Sequence, residues 1–294
     1  MELPRCLRLA LIHPVAAERT AWASRLHRTT VVEFENVQDF ESRASKCDLV
    51  VLSSSHHPKN LLDLLAARLH VLLIAGQVPD EVILESLYSA AGVAGVQLTV
   101  MNPDRYLPSR QQIRRQVGNT LGEPGLIRSH RWLPSTNEGE FSEWLVRDLD
   151  SILWLAGRYP DRVFALESKQ DGSPGRYLQV HLGFPGGGMA LLDLTNRLPA
   201  GDGYASLSVI ASSGAAYADD HHNMQLLYRG DRPQALQTDE RARQHAAMIQ
   251  ETIDAILLNR DCSATLAEWR NAWAVANAVG HSIASGQAVT IGGE

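Results

Sequence analysis

The chain is poor in cysteine, with three in 294 residues at Cys6, Cys47 and Cys262. Thiols so few and so far apart make neither a disulfide framework nor metal-ligand spacing, and they suit a reducing compartment. Basic residues also fall short, 27 against 33 acidic, for a formal net charge of −6. A nucleic-acid partner wants a basic stripe, so this balance argues against one. No run approaches the roughly 20 apolar residues of a membrane span. Met1 to Pro14 interrupts its apolar run with charges and a proline, which makes it a poor signal peptide. These absences lead to an expectation of a cytoplasmic protein with no membrane and no nucleic-acid partner. Internal repeats and low-complexity segments are missing too. What is present is a large apolar share, 45% hydrophobic residues against 20% charged, over a length that allows two domains.

Strand and helix signals alternate through the first third. Apolar runs at residues 7–13, 31–34, 48–53, 70–75 and 97–101 read as strands, with helices at 16–26, 58–69 and 79–91. Pro58 and Pro79 stand in the first turn of their helices, and Asp80 and Glu81 suit the positive end of a helix dipole. Such alternation builds a doubly wound parallel sheet of the Rossmann-like kind, here reduced in its second unit. Farther on, strand-like runs at 162–167, 177–184, 189–196, 206–212 and 224–228 are punctuated by Gly172-Ser-Pro-Gly175 and Pro185-Gly-Gly-Gly188. Connections this short suit a large open, mainly antiparallel sheet. Two helices close the chain, the last with Leu266, Trp269, Trp273, Ala276, Val279 and Ile283 on one stripe, before a final turn and strand. The expected fold is α/β: a Rossmann-like domain over 1–104 and an α+β domain over 105–294. The last helix and tail are expected to pack back toward the N-terminal domain.

One stretch carries candidate chemistry, Glu143 to Gly157. Leu145, Leu149, Ile152, Leu153 and Ala156 fall at i, i+4, i+7, i+8 and i+11 of a helix, one buried stripe. Glu143, Arg147, Asp150 and Trp154 fall at i, i+4, i+7 and i+11, a second and polar stripe. Gly157 stands where a helix ends in a left-handed residue. Taken alone, the polar stripe reads first as a solvated face with a Glu143–Arg147 pair.

Asp148-Leu149-Asp150, then Trp154-Leu155 and Gly157, resembles the His-Asp-x-Asp…Trp-Leu-x-Gly helix of the Gfo/Idh/MocA family of NAD(P)-dependent sugar and polyol oxidoreductases. Further segments resemble that family in order. They are residues 67–76, Arg105-Tyr106 with Pro108, Leu121-Gly-Glu-Pro124, residues 178–196 and 203–220, and the ending Ser285-Gly286-Gln287 with Val289. The resemblance implies a Rossmann-like domain, a second domain with an open sheet, and dimers or tetramers packed through that sheet. It places a catalytic Asp and, one turn later, a catalytic His at the positions that are Glu143 and Arg147 here. The family's Lys falls at Ala75, in Ile74-Ala75-Gly76. Where a Gly-x-Gly-x-x-Gly turn would cradle a pyrophosphate, this chain has His13-Pro14-Val15-Ala16-Ala17-Glu18. Val15 hinders close approach, Pro14 has no N–H, and Glu18 adds negative charge. The second strand and its helix are short by comparison, with Glu33 or Glu35 in the place of a ribose-binding acid.

These departures lead to an expectation of no bound cofactor, with His13, Val15, Glu18 and Ala75 as degenerate positions. The expected protein has lost oxidoreductase activity and binds a sugar, polyol or carboxylate, alone or as partner of an active paralogue. Two alternatives stand beside it: an NAD- or NADP-dependent sugar or polyol oxidoreductase with a divergent cofactor site, and a cofactor-free lyase or isomerase using the same interdomain cleft. Catalytic or cleft candidates are Glu143, Arg147 and His57, the last after the third strand. Substrate-binding candidates are Arg105, Tyr106, Arg147, Asp150 and Trp154. Asp219-Asp220-His221-His222-Asn223 looks like ligand material, yet neighbours on a strand point to opposite faces, and no metal is expected. Leu178, Val180, Leu182, Leu191, Leu207, Val209 and Leu226 supply apolar strand positions, which leads to an expectation of a homo-oligomer through the C-terminal sheet.

Overall fold

The computed structural model describes residues 6–43, 46–52, 58–74, 81–134, 138–169, 175–198, 203–219, 224–229, 232–237 and 241–292. In chain order it contains β1 (Leu7–Ile12), α1 (Ala16–Ala23), β2 (Thr29–Phe34), α2 (Val37–Arg43), β3 (Leu49–Leu52), α3 (Pro58–Ala66), β4 (His70–Ile74), α4 (Glu81–Ala94) and β5 (Leu98–Met101). A 3-10 turn (Pro103–Tyr106) and α5 (Pro108–Gln116) follow, then β6 (Pro124–Pro134) and α6 (Glu138–Ala156). Next come β7 (Arg162–Lys169), β8 (Arg176–Gly183), β9 (Met189–Leu198), β10 (Tyr204–Ala211), β11 (Gly214–Asp219), β12 (Met224–Arg229) and β13 (Arg232–Gln237). The chain closes with α7 (Arg241–Leu257), α8 (Ser263–Ser285) and β14 (Val289–Thr290). It divides into two units, Met1–Tyr106 with Glu240–Arg270, and Leu107–Asp239 with Asn271–Glu294.

The first unit is a five-stranded parallel sheet in the order β2-β1-β3-β4-β5. Its strands are covered on both faces, so β3 reads Leu-Val-Val-Leu and is buried throughout. On one face α7 sets Met248, Ile249 and Ile253 against Leu7, Leu9 and Leu11 of β1 and against Trp22 of α1. The order reverses between β1 and β3, and in such sheets ligands bind outside the strand carboxyl ends at that reversal. The second unit of the pattern is fuller than expected. β2 has six residues in register with β1, and α2 follows it at once. Asn36 caps α2 by accepting from the N–H of Asp39 at 2.8 Å, while Asp39 accepts from the N–H of Glu35 at 3.2 Å.

The second unit is built on a seven-stranded sheet, β11-β10-β6-β9-β8-β7-β14, in which only the β6–β9 pair is parallel. β12 and β13 form a separate hairpin. α6 packs on β6 and β9. Phe141, Val146, Leu149, Ile152, Leu155 and Ala156 are its buried apolar side chains, while Leu145 and Leu153 are half-buried. Gly157 takes a φ of 65° and returns its N–H to Leu153 at 2.9 Å, ending the helix. The central strand β6 has no counterpart in the sequence expectation.

Candidate functional site

At the carboxyl end of β1 the chain turns through His13, Pro14 and Val15 into α1. No side chain caps α1 at Val15, so its first turn offers N–H groups where this fold class binds phosphates. The turn is closed by its own side chains. The N–H of Val15 donates to His13 Nδ1 at 3.0 Å, and His13 Nε2 lies 3.5 Å from the Glu18 carboxylate. Arg19 donates from Nη1 to the His13 carbonyl and sets its Nε 3.4 Å from Glu33 Oε2. The hydroxyl of Thr20 approaches the same carboxylate at 3.5 Å. Glu33 sits opposite Leu11 in the sheet register, at the carboxyl end of β2, twenty residues on from His13. That is where doubly wound sheets carry the acid that takes ribose hydroxyls. Arg43 flanks this end, 2.5 Å from Asp39 and stacked 4.5 Å over the Phe34 ring. Its hydrogen bond holds the Asp39 carboxyl below the usual carboxylate range.

Arg105 and Tyr106 belong to the same unit and are committed there. Arg105 pairs with Glu268 of α8, and the Tyr106 hydroxyl donates to Glu251 of α7 at 2.9 Å. Burial first, and the Glu251 carboxylate second, push the Tyr106 phenol above its ordinary value, so it stays protonated. His57 and Ala75 lie outside the described residues, as do Asp220 to Asn223 of the Asp/His run.

In the second unit the polar stripe of α6 is half-buried, not solvated. The Arg147 guanidinium stacks 4.1 Å over the ring centre of Trp144. Arg131 of β6 lies 4.6 Å from that same ring and forks onto buried Asp148, at 2.7 Å from Nη2 and 3.1 Å from Nε. Glu143 and Trp154 are half-buried, and Arg114 of α5 lies 5.9 Å from the Trp154 ring. Asp150, expected to meet a sugar hydroxyl, is only 2% exposed. Sequence reasoning missed the Arg131–Asp148 fork. It also missed a line across three neighbouring strands, in which His130 of β6 touches Ser206 of β10 through Nδ1 at 3.1 Å and Asp193 of β9 through Nε2 at 3.2 Å. Among the described residues no three His, Cys, Asp or Glu side chains converge to hold a metal, and no helix is long and apolar enough to cross a membrane.

No protein-family model matches the chain, and no curated protein matches it. Solved structures do. A probable dehydrogenase from Thermotoga maritima is 16% identical, with 97% of this chain and 98% of that one covered at a TM-score of 0.77. A putative myo-inositol dehydrogenase from Sinorhizobium meliloti is 16% identical over 97% of this chain and 100% of its own, also at 0.77. GenD2 from gentamicin A biosynthesis, solved in complex with NAD, is 16% identical over 100% of this chain and 98% of its own, at 0.75. The fold is that of the Gfo/Idh/MocA dehydrogenases. At such identities the likeness is one of fold.

The expectation of no cofactor is corrected by this finding. It rested on missing glycines, in a fold shared with solved proteins that are named dehydrogenases and with GenD2, which was solved with NAD. Glycine eases close approach, but the phosphate donors are backbone N–H groups that every residue except proline carries. Here they belong to Ala16, Ala17 and Glu18, and proline precedes them. The first turn of α1 and the Glu33 carboxylate are the groups that would hold a dinucleotide if one binds in this unit.

Proposed function

We propose that this chain is a nicotinamide-dinucleotide-dependent oxidoreductase of the sugar and polyol class, with a divergent cofactor turn. The observation that supports this most is the Glu33 carboxylate at the end of β2, beside an uncapped α1, in a fold shared with solved proteins named as dehydrogenases. When bound, the nicotinamide supplies a hydride acceptor or donor. The chain's own part is to hold the pyrophosphate on the first turn of α1, to accept ribose hydroxyls on Glu33, and to meet the substrate with Glu143 and Arg147. A guanidinium stays charged at neutral pH and shuttles no proton. Glu143, one turn earlier, is therefore the group that takes the hydroxyl proton as the alcohol is oxidised. Arg147 binds a substrate carboxylate or steadies the developing alkoxide.

The test is turnover of a panel of sugars, polyols and hydroxy acids with NAD or NADP, read by the reduced cofactor. Glu143→Gln should lower kcat by about a hundredfold or more and leave dinucleotide binding unchanged. A second reading, a binding or partner subunit without turnover, is favoured by one observation, the guanidinium at a position where a proton shuttle is expected. Dinucleotide binding with no turnover on any member of the panel would select it.

A further inference from the structure

We propose that Arg19 occupies the place of the adenosine ribose and gates the dinucleotide site, so that the Arg19–Glu33 pair sets its affinity. The inference rests on the dinucleotide reading above. In a doubly wound sheet the adenosine ribose lies between the turn after the first strand and the acid ending the second. Arg19 spans that interval: one guanidinium nitrogen donates to the His13 carbonyl in the turn, and another faces Glu33 at 3.4 Å. It thus makes to Glu33 the contact a ribose hydroxyl would make. Only 13% of the Arg19 side chain is exposed, against 32% for Glu33, so the guanidinium is seated in the fold and does not trail in solvent.

The surrounding turn is braced in the closed form. His13 accepts the Val15 N–H, faces Glu18, and packs edge-on against Trp22 with ring centres 4.9 Å apart. Trp22 in turn stacks on His245 of α7 at 4.7 Å with the rings 2° from parallel. These contacts hold the backbone of the turn, so a ribose reaching Glu33 has to displace the Arg19 side chain and not the turn. A ribose entering the site competes with Arg19 for one carboxylate, and the apparent affinity falls by the fraction of molecules in which Arg19 has let go. Shortening the side chain removes the competitor and keeps the acceptor.

The experiment is calorimetric titration of ADP-ribose and of NAD into the wild type, Arg19→Ala, Arg19→Gln and Glu33→Ala, with thermal melts to establish that each variant is folded. Both Arg19 variants should bind ADP-ribose about tenfold more tightly than the wild type. Glu33→Ala should bind more weakly than the wild type. Arg19 variants that bind equally or more weakly overturn the gate, as does a Glu33→Ala protein that binds as well as the wild type. If the wild type binds NAD and the Arg19 variants are unchanged, only the gate fails. If the wild type and both Arg19 variants are silent at millimolar ligand, the gate and the dinucleotide reading fail together.

Discussion

Tyr106 titrates as a consequence of where it is buried. Its phenol is raised in the folded state by burial and by the Glu251 carboxylate, so the folded protein holds the proton more tightly than the unfolded chain. The stability this confers is fully present below the unfolded phenol value of about 10 and is lost as pH rises above it. Urea melts at rising pH should therefore show the wild type losing stability faster than Tyr106→Phe above about pH 10, by up to about 1.4 kcal/mol per pH unit. Parallel curves for the two proteins would show that burial leaves the phenol unperturbed. Arg147 poses a different question, since a guanidinium on Trp144 at 4.1 Å can be structural or can bind ligand. A cation–π contact of this exposure is worth about 1 kcal/mol. Arg147→Ala should lose about that much stability while affinity for the substrate falls by ~2–5 kcal/mol. A large stability loss with unchanged KM would make Arg147 a strut of α6.

A buried charged contact joins the helix α6 to the strand β6. Asp148 is 2% exposed and is forked by Arg131. Removing one member of such a pair leaves a buried charge unmatched, which costs about 3–5 kcal/mol. Chemical denaturation of Asp148→Ala should show a loss of that size, and Arg131→Met with Asp148→Leu should recover most of it. The same contact explains why β6 was illegible. Its inward positions include Ser129 and Arg131 beside Ile127, so the strand lacks the apolar alternation by which β8 was found through Leu178, Val180 and Leu182. No local pattern announces that an arginine points inward when its partner lies seventeen residues on. The short helix α2 escaped for another reason. Its support is the Asn36 cap on the Asp39 N–H, the Asp39 contact to the Glu35 N–H and the Arg43–Asp39 pair, while only Val37 and Phe40 carry its buried face. Runs bounded by turn residues, β1, β3 and β4 above all, were readable because strands covered on both faces are apolar over nearly their whole length, with Arg8 of β1 and His70 of β4 as the exceptions. At the candidate site the letters of the β1–α1 turn were legible but its side-chain closure was not, because Arg19 meets Glu33 only once β1 and β2 lie side by side.

At the scale of the molecule, the C-terminal sheet has one face turned to helices and one turned away. Leu178, Val180, Leu182, Leu207 and Val209 all turn inward, so they do not supply the outer face. What does is Trp132, Leu166, Met189, Ile210 and Tyr217, between 36% and 57% exposed, around the His130–Asp193–Ser206 line. Apolar side chains gathered on one sheet face mark an association surface. We propose that two copies of the chain pair there. Light scattering at micromolar concentration should give a dimer, and Leu166→Asp with Met189→Asp should give a monomer of unchanged secondary structure. A wild-type monomer under the same conditions would remove the proposal.

The central claim is that a dinucleotide binds at the carboxyl ends of β1 and β2 despite the absence of glycine in the turn. Hydrogen exchange read by mass spectrometry with and without saturating NAD tests it directly, since it reports both binding and place. The account predicts that NAD slows exchange in peptides covering His13 to Thr20 and those covering Glu33. Exchange unchanged by NAD, or slowed only in peptides elsewhere in the chain, would contradict it.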